Sequence, residues 1–124
     1  FKNTITAAAL AASTSTAHAG AGFDITGNDI YPICTNPATE MACTMFVAGV
    51  IKGYLSAAAI ETSGEITYCV RPGVTVQQIK DIFVKKLRET PKLRDLDASI
   101  KVYTSAKRAG VLYKCDELTR RRKN

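Results

Sequence analysis

The stretch from Ala38 to Ile60 reads ATEMACTMFVAGVIKGYLSAAAI, and it decides what the rest of the chain can fold onto. Between Met41 and Ile60 its only charge is Lys52. The large side chains of this stretch point in nearly every direction around a helical wheel: Met41, Cys43, Met45, Phe46, Val47, Val50, Ile51, Tyr54 and Leu55. This pattern predicts a helix that is enclosed by other elements on all sides.

A run of about 20 apolar residues is also long enough to cross a bilayer. Lys52 would then lie near the centre of the membrane, at a cost of about 3 kcal/mol. Two later segments have amphipathic helical stripes, and each stripe needs an apolar partner. We therefore predict a core helix and no transmembrane span.

The helices around this segment have recognisable ends. Thr35 or Asn36 can cap the long helix, and Asn28 is the expected cap of a short helical turn before it. Thr75 and Gln78 form a capping box for a later helix that Pro91 ends. The apolar stripe of this helix is Val76, Ile79, Ile82, Phe83 and Leu87. The opposite face is expected to be solvated, and it consists of Lys80, Asp81, Lys85, Arg88 and Glu89. On that face Asp81 is expected to pair with Lys85.

A last helix is expected after a cap at Asp95 or Asp97, and Gly110 is suited to end it. Its expected inward stripe is Leu96, Ile100, Tyr103 and Ala106. The segment ITYCV is the best candidate for a strand, and it is short. The fold class that follows is all-α: a small disulfide-stapled bundle of one short and three longer helices around a central apolar helix.

The chain of 124 residues has room for one domain. Its net charge is +6, but much of the excess lies in Lys2 and in the run from Arg120 to Lys123. The remaining 12 basic and 11 acidic residues nearly balance, so no broad basic face for nucleic acid is expected.

Residues 1–19 have the composition of a secretory signal peptide, with Lys2 near the start, an alanine-rich apolar run and the cleavage pattern Ala17-His18-Ala19. We therefore predict an exported, periplasmic protein. A single helical domain is expected over residues 20–118, followed by a basic tail over residues 119–124. That tail could bind an anionic envelope surface, although a solvated tail is the simpler expectation.

Export is consistent with the four cysteines, since an even number in a small exported domain predicts two disulfides. No pair has the C-x2-C spacing, which disfavours a structural zinc site. Four cysteines allow three connectivities. If three helices run up, down and up, each end of the bundle receives one pair, and we predict Cys34–Cys43 and Cys69–Cys115.

The sequence lacks the residue patterns on which the common classes of enzyme depend. The only histidine, His18, lies in the predicted signal peptide, which excludes histidine-based catalytic or metal sites from the mature chain. Phosphate-binding glycine motifs are absent too. The acidic pairs Asp95 with Asp97 and Glu61 with Glu65 fit a helix cap and a loop, and the five tyrosines fit core packing rather than a ligand cage. We predict a non-catalytic binding protein with neither cofactor nor metal.

Three stretches carry a resemblance to a known family: TGNDIYPIC, MACTMFVAGVIKGYL and YCVRPGVTVQQIKDIFVKKLRETPKLRD, followed by a helix ending at Cys115. Together they resemble the Rap/Tai immunity proteins of bacterial type VI secretion systems, over residues 26–115. The resemblance implies a small, periplasmic, disulfide-bonded helical protein that is often a homodimer. It also implies a protein partner, a peptidoglycan-cleaving amidase effector whose active-site cleft the immunity protein occludes.

The loop from Glu61 to Thr67 is the candidate contact with such a partner, because it is pinned between helices and loses little entropy on entering a cleft. The side chains expected to insert are Glu61, Glu65, Ile66 and Tyr68. An ordinary connector is the alternative for this loop. The alternative for the protein is a periplasmic chaperone or stress protein that binds unfolded clients, although the mature chain has no histidine to sense mild acid.

Overall fold

The computed structural model describes residues 24–115, so the predicted signal peptide and basic tail lie outside the described residues. The helices are α1 (Gly27–Thr35), α2 (Glu40–Glu61), α3 (Val76–Glu89) and α4 (Ala98–Arg108). Two 3-10 turns (Pro37–Thr39 and Pro91–Asp95) and two short strands, β1 (Tyr68–Val70) and β2 (Leu112–Lys114), complete the fold. The predicted all-α bundle is confirmed, with one short and three longer helices.

Helix α1 starts two residues earlier than expected. Its cap is Thr26, whose hydroxyl accepts the amide proton of Asp29 at 3.3 Å while the Asp29 carboxylate accepts from the Thr26 amide at 2.9 Å. Asn28 was the expected cap, and that prediction is wrong. The Asn28 side chain instead donates to Asp95 at 2.7 Å, which ties α1 to the second 3-10 turn.

Helix α2 begins and ends close to the predicted limits. Asn36 accepts the amide proton of Ala38 at 3.0 Å, and Pro37 takes the first position of the short turn that leads into the helix. The disulfide between Cys34 and Cys43 fastens this start to α1.

The prediction that α2 is enclosed on all sides is wrong. Helices α1, α3 and α4 all contact α2, and its buried side chains are Cys43, Val47 and Ile51. The other face is open to solvent: the exposed fractions are 72% for Met41, 64% for Met45 and 77% for Ile60. Because α2 is apolar all around, its sequence has no periodicity that tells which side its neighbours will cover.

Within residues 24–115, one helical stretch, Pro37–Glu61, is long and apolar enough to cross a membrane when judged by length and composition alone. In the fold this stretch packs against three other helices and is joined covalently to α1. Only 17% of its most apolar window is buried, so one side of the stretch packs on the bundle and the rest is open.

Helix α3 starts at the predicted capping box. The Thr75 hydroxyl accepts from the Gln78 amide at 3.2 Å, and the Gln78 side chain accepts from the Thr75 amide at 2.9 Å. Ile79, Phe83 and Leu87 of the predicted stripe are buried. Two expectations for the opposite face are wrong, because Lys80 is only 3% exposed and the ion pair of Lys85 is with Glu89, at 3.8 Å, rather than with Asp81.

Helix α4 is capped by Asp97, which accepts from the amide of Ile100 at 3.0 Å. This cap places Leu96 outside the helix, where it is 47% exposed, and leaves Ile100 48% exposed. The expected inward stripe was therefore wrong at Leu96 and Ile100, whereas Ala106 is buried and Tyr103 packs partly buried against the core. The buried side chains of α4 are Ala98, Val102, Ser105 and Ala106.

Strands β1 and β2 pair antiparallel, with Cys69 opposite Tyr113. The short strand predicted in ITYCV is confirmed, whereas β2 was not predicted as a strand. Gly110 has a φ of 73°, a left-handed conformation that reverses the chain after α4, and its carbonyl accepts from the Arg71 side chain at 3.1 Å.

Both predicted disulfides are present. Cys34 and Cys43 have Cα atoms 5.0 Å apart, and the Cα atoms of Cys69 and Cys115 are 5.5 Å apart. One lies at the start of α2 and the other closes the small sheet. The largest fully buried side chains lie among α2, α3 and α4, and they are Phe83, Leu87, Val47, Val102 and Cys43.

Candidate partner-binding site

The connection after α2 is held in one shape by its own backbone. The Gly64 amide donates to the Ala59 carbonyl at 2.8 Å, and the Ser63 amide donates to the Ile60 carbonyl at 3.3 Å. Both Ser63, with φ 51°, and Gly64, with φ 82°, adopt the left-handed conformation. These two bonds form a Schellman motif, which pairs helix carbonyl groups that would otherwise lack a partner.

Thr62 then ties the far side of the loop back to the helix. Its hydroxyl donates to the Ala58 carbonyl at 2.7 Å and accepts from the Ile66 amide at 2.9 Å. The Glu65 amide donates to the Thr62 carbonyl at 3.0 Å. The loop is therefore preorganised over its whole length.

The end of the loop is anchored to the small sheet. The Cys115 amide donates to the Thr67 carbonyl at 3.0 Å, and Tyr68 lies opposite Lys114 in the strand register. The disulfide from Cys69 to Cys115 crosses the same sheet. Movement of the loop as a whole therefore requires disruption of the sheet.

The four residues predicted to contact a partner do not all lie together. Glu61, Glu65 and Ile66 are exposed, whereas Tyr68 is partly buried. Glu61 and Tyr68 line one depression, and Glu65 and Ile66 are not part of its wall. The predicted set is thus divided between a projecting loop and the depression beside it.

That depression, which we call the tyrosine pocket, has a volume of about 260 Å³ and lies between α2, β1 and α4. Three of the five tyrosines line it: Tyr54, Tyr68 and Tyr103. The rings of Tyr54 and Tyr103 are stacked, with centroids 4.3 Å apart and planes inclined by 20°. Sequence reasoning missed this group, because the three residues come from three separate elements.

Two carboxylates lie at or near the tyrosine pocket, those of Glu61 and Asp97. Burial raises the pKa of Tyr54, and the nearby Asp97 carboxylate raises it further. The Asp97 carboxyl has a lowered pKa because Ser99 and the Ile100 amide donate hydrogen bonds to it, so it is ionised at neutral pH. Glu61 adds a second carboxylate at the wall of the pocket.

A larger apolar groove of about 490 Å³ lies on the other side of Tyr68. Its walls come from α2, β1 and the start of α3, and they are Ala48, Ile51, Lys52, Leu55, Tyr68, Cys69, Val70, Val74, Val76 and Ile79. Tyr68 therefore separates two concave surfaces that both open near the loop.

At the start of α2, Lys80 forms an ion pair with Glu40. The Lys80 side chain is 4% exposed and the Glu40 side chain is 50% exposed, so the pair connects the interior to the surface. Hydrogen bonding to Lys80 lowers the pKa of the Glu40 carboxyl, helped by the charge of Lys80 and by a bond from Gln77. This pair joins α2 to α3.

The described part of the chain does not assemble a metal site. Across residues 24–115, no group of three or more His, Cys, Asp or Glu residues is placed to hold a metal ion. All four cysteines are in disulfides. What the surface near the loop offers is shape, aromatic area and negative charge.

The described residues form a small, disulfide-stapled helical protein with two concave surfaces beside a rigid loop. A family model described as Rap1a immunity proteins matches residues 26–114. The chain therefore belongs to the Rap1a immunity protein family, which implies a protein effector as its partner. A search of curated proteins and a search of solved structures each find no match.

Proposed function

We propose that this is a non-catalytic, exported immunity protein of a type VI secretion system, which inhibits a peptidoglycan-cleaving amidase effector by blocking its active-site cleft. The family match supports the immunity class. The two disulfides support a location outside the reducing cytoplasm, where such an amidase would act on the cell wall.

The observation that carries the proposal is the rigid loop between α2 and β1. Glu65 and Ile66 are exposed on a backbone that hydrogen bonds and a disulfide hold in place. An ordered loop that enters a cleft loses little conformational entropy, and for this reason rigid loops are effective inhibitors.

The test is the affinity of the full chain for a peptidoglycan amidase, starting with any amidase encoded beside its gene. We expect replacement of residues 62–66 by Gly-Ser to abolish capture, and Ile66→Asp to weaken it at least tenfold while the protein remains folded. Glu89→Lys, in the last turn of α3, is the matched surface control and should leave binding unchanged. Equal capture by the loop variants would overturn the assignment of this loop.

We further infer that the open face of α2 is covered by a second copy of the chain. This face is about 33 Å long at 1.5 Å per residue, and Gly49 and Gly53 lie along its centre. Nothing lies within 4 Å of a Cβ built at either glycine, so a second helix can approach closely there. An antiparallel crossing at this point sets Met45 of one copy opposite Ala57 of the other.

The same antiparallel register sets Ile60 opposite Ala42, so large side chains meet small ones at both ends. It is self-complementary, as an interface with twofold symmetry must be. A parallel crossing would instead set Met45 against Met45 and bring the two Lys52 ammonium groups side by side. The antiparallel dimer is therefore the favoured arrangement.

Gly53→Leu tests the dimer by sedimentation of the oxidised protein. A Cβ at this position meets no atom of its own chain within 4 Å and Gly53 is exposed, so folding should be retained while the dimer dissociates. Lys92→Leu is the control, because it adds the same side chain to the exposed second 3-10 turn. A wild-type monomer that binds an apolar dye would contradict the dimer and favour the chaperone alternative.

A further inference from the structure

We propose that the tyrosine pocket receives a basic side chain, that of an arginine or lysine, from the protein partner. This step deepens the proposed function and rests on it only for the identity of the partner. The binding site itself is a property of this chain and can be tested without any effector.

The lining of the pocket matches a cation. The faces of aromatic rings carry partial negative charge, and a guanidinium or ammonium group within about 6 Å of a ring centroid is attracted to it. Tyr54, Tyr68 and Tyr103 surround the depression, and Glu61 supplies a carboxylate at its wall. A volume of about 260 Å³ suits one side chain rather than a whole peptide segment.

The folded chain already contains two contacts of this kind. The guanidinium of Arg94 lies 4.0 Å from the centroid of the Tyr31 ring. The ammonium of Lys107 lies 5.9 Å from the centroid of the Tyr103 ring, although Lys107 does not line the tyrosine pocket. The aromatic cluster is thus in contact with a cation on the α4 side. The tyrosine pocket lies beside the stacked rings of Tyr54 and Tyr103, and Lys107 is not part of its wall.

The charge in the wall of the pocket favours a positive occupant. Glu61 is the only charged residue among the described residues that line the tyrosine pocket, whereas Asp97, Lys107 and Lys114 lie outside its wall. The charged group that an occupant meets in the pocket is therefore a carboxylate. An acidic side chain would face the Glu61 carboxylate there and would lose its hydration.

The position of the pocket agrees with a role beside the loop. Glu61 is the last residue of α2, and Tyr68 is the first residue of β1, so the pocket spans the two anchored ends of the loop. A partner that receives Ile66 in its cleft would place its own surface over these ends. A basic residue at the rim of that cleft would then reach the three rings.

The experiment uses the full-length oxidised protein with 13C-labelled tyrosine rings, titrated with Nα-acetyl-arginine amide. We expect saturable shifts, in the millimolar range, of the ring signals of Tyr54, Tyr68 and Tyr103. The neutral isostere Nα-acetyl-citrulline amide should give none. Absence of saturable shifts, or equal shifts with citrulline, would overturn the proposal.

For charge variants, the proposal predicts the direction of the change in arginine affinity as well as its size. Glu61→Gln should weaken arginine binding about threefold, and Lys107→Gln should strengthen it by a similar factor. Glu65→Gln is the matched control, because it removes the same charge from the same loop outside the pocket wall. A purely structural role of Glu61 would not produce opposite effects at Glu61 and Lys107.

The outcome separates this proposal from the proposed function. If arginine binds but no amidase is captured, the proposed function fails and the pocket stands. If an amidase binds equally well to the wild type and to Glu61→Gln, and arginine produces no shifts, the pocket proposal fails and the immunity function stands.

Discussion

The burial of Lys80 is an example of a single-residue feature that the sequence does not predict. It lies among charged neighbours on α3, and that pattern predicts a solvated face. Its partner is Glu40, which is 40 positions away and therefore invisible to local periodicity. The carboxylate compensates a buried ammonium group that would otherwise be costly to remove from water.

The Glu40 pair predicts a loss of stability in acid. The folded pKa of the Glu40 carboxyl lies below its ordinary value of 4.5, so ionisation favours the folded state. The stabilisation that ionised Glu40 provides is complete at pH values above the ordinary pKa, and it is lost as the pH falls through the lowered pKa of the folded state. Glu40→Gln should reduce the free energy of unfolding at neutral pH and flatten its acid limb, as measured by urea unfolding at a series of pH values. An unchanged acid limb would contradict this account.

The close approach of Gly27 to the backbone of Arg94 predicts that a larger residue at this position destabilises the fold. A Cβ at this position would lie 2.6 Å from the Cα of Arg94, and the obstacle is backbone that cannot rotate away. Gly27→Ala should therefore reduce the free energy of unfolding by about 1–3 kcal/mol, measured by chemical denaturation. Gly49→Ala in α2 is the control, since open space surrounds it, and it should not destabilise the monomer fold.

At the level of elements, the sequence was most informative where structure depends on near neighbours. The capping box of Thr75 with Gln78 and the end of α3 before Pro91 were both predicted, because each is a contact within a few residues. The buried side of α2 was not predictable, since apolar residues surround that helix. Strand β2 was missed because its pairing with β1 joins residues more than 40 positions apart.

The end of α2 predicts a stabilising substitution. Ser63 adopts a φ of 51°, which is unfavourable for a residue with a Cβ, whereas glycine adopts it at no steric cost. Ser63→Gly should raise the free energy of unfolding by about 1 kcal/mol. Gly64→Ala, at φ 82°, should lower it. Thermal melting of both variants checks the opposite signs, and effects of the same sign would contradict the Schellman geometry.

At the level of the whole molecule, the two disulfides hold separate ends of the bundle. The predicted connectivity was confirmed because an even number of cysteines and the expected directions of the helices favour one pairing. The tyrosine pocket was not predicted, since Tyr54, Tyr68 and Tyr103 are brought together only when α2, β1 and α4 pack. Sites that join several elements require the fold before they can be recognised.

The disulfides predict unequal losses of stability. Cys69–Cys115 spans 46 positions and Cys34–Cys43 spans 9, so the first constrains the unfolded chain more. In the chain-entropy model, removal by paired Cys→Ser substitutions should cost about 4 kcal/mol for the longer loop and about 3 kcal/mol for the shorter one. Denaturant unfolding of the two double variants gives the order, and a larger loss for Cys34–Cys43 would contradict it.

The most direct test of the account is the hydrolysis of peptidoglycan by a captured amidase, measured while the immunity protein is added up to equal molar amounts. We predict that the wild-type protein stops hydrolysis at stoichiometric addition. The Ile66→Asp variant should leave most of the activity, whereas Glu89→Lys should inhibit like the wild type. Full inhibition by Ile66→Asp, or hydrolysis that continues with the wild-type protein bound, would contradict the claim that this loop blocks the active site.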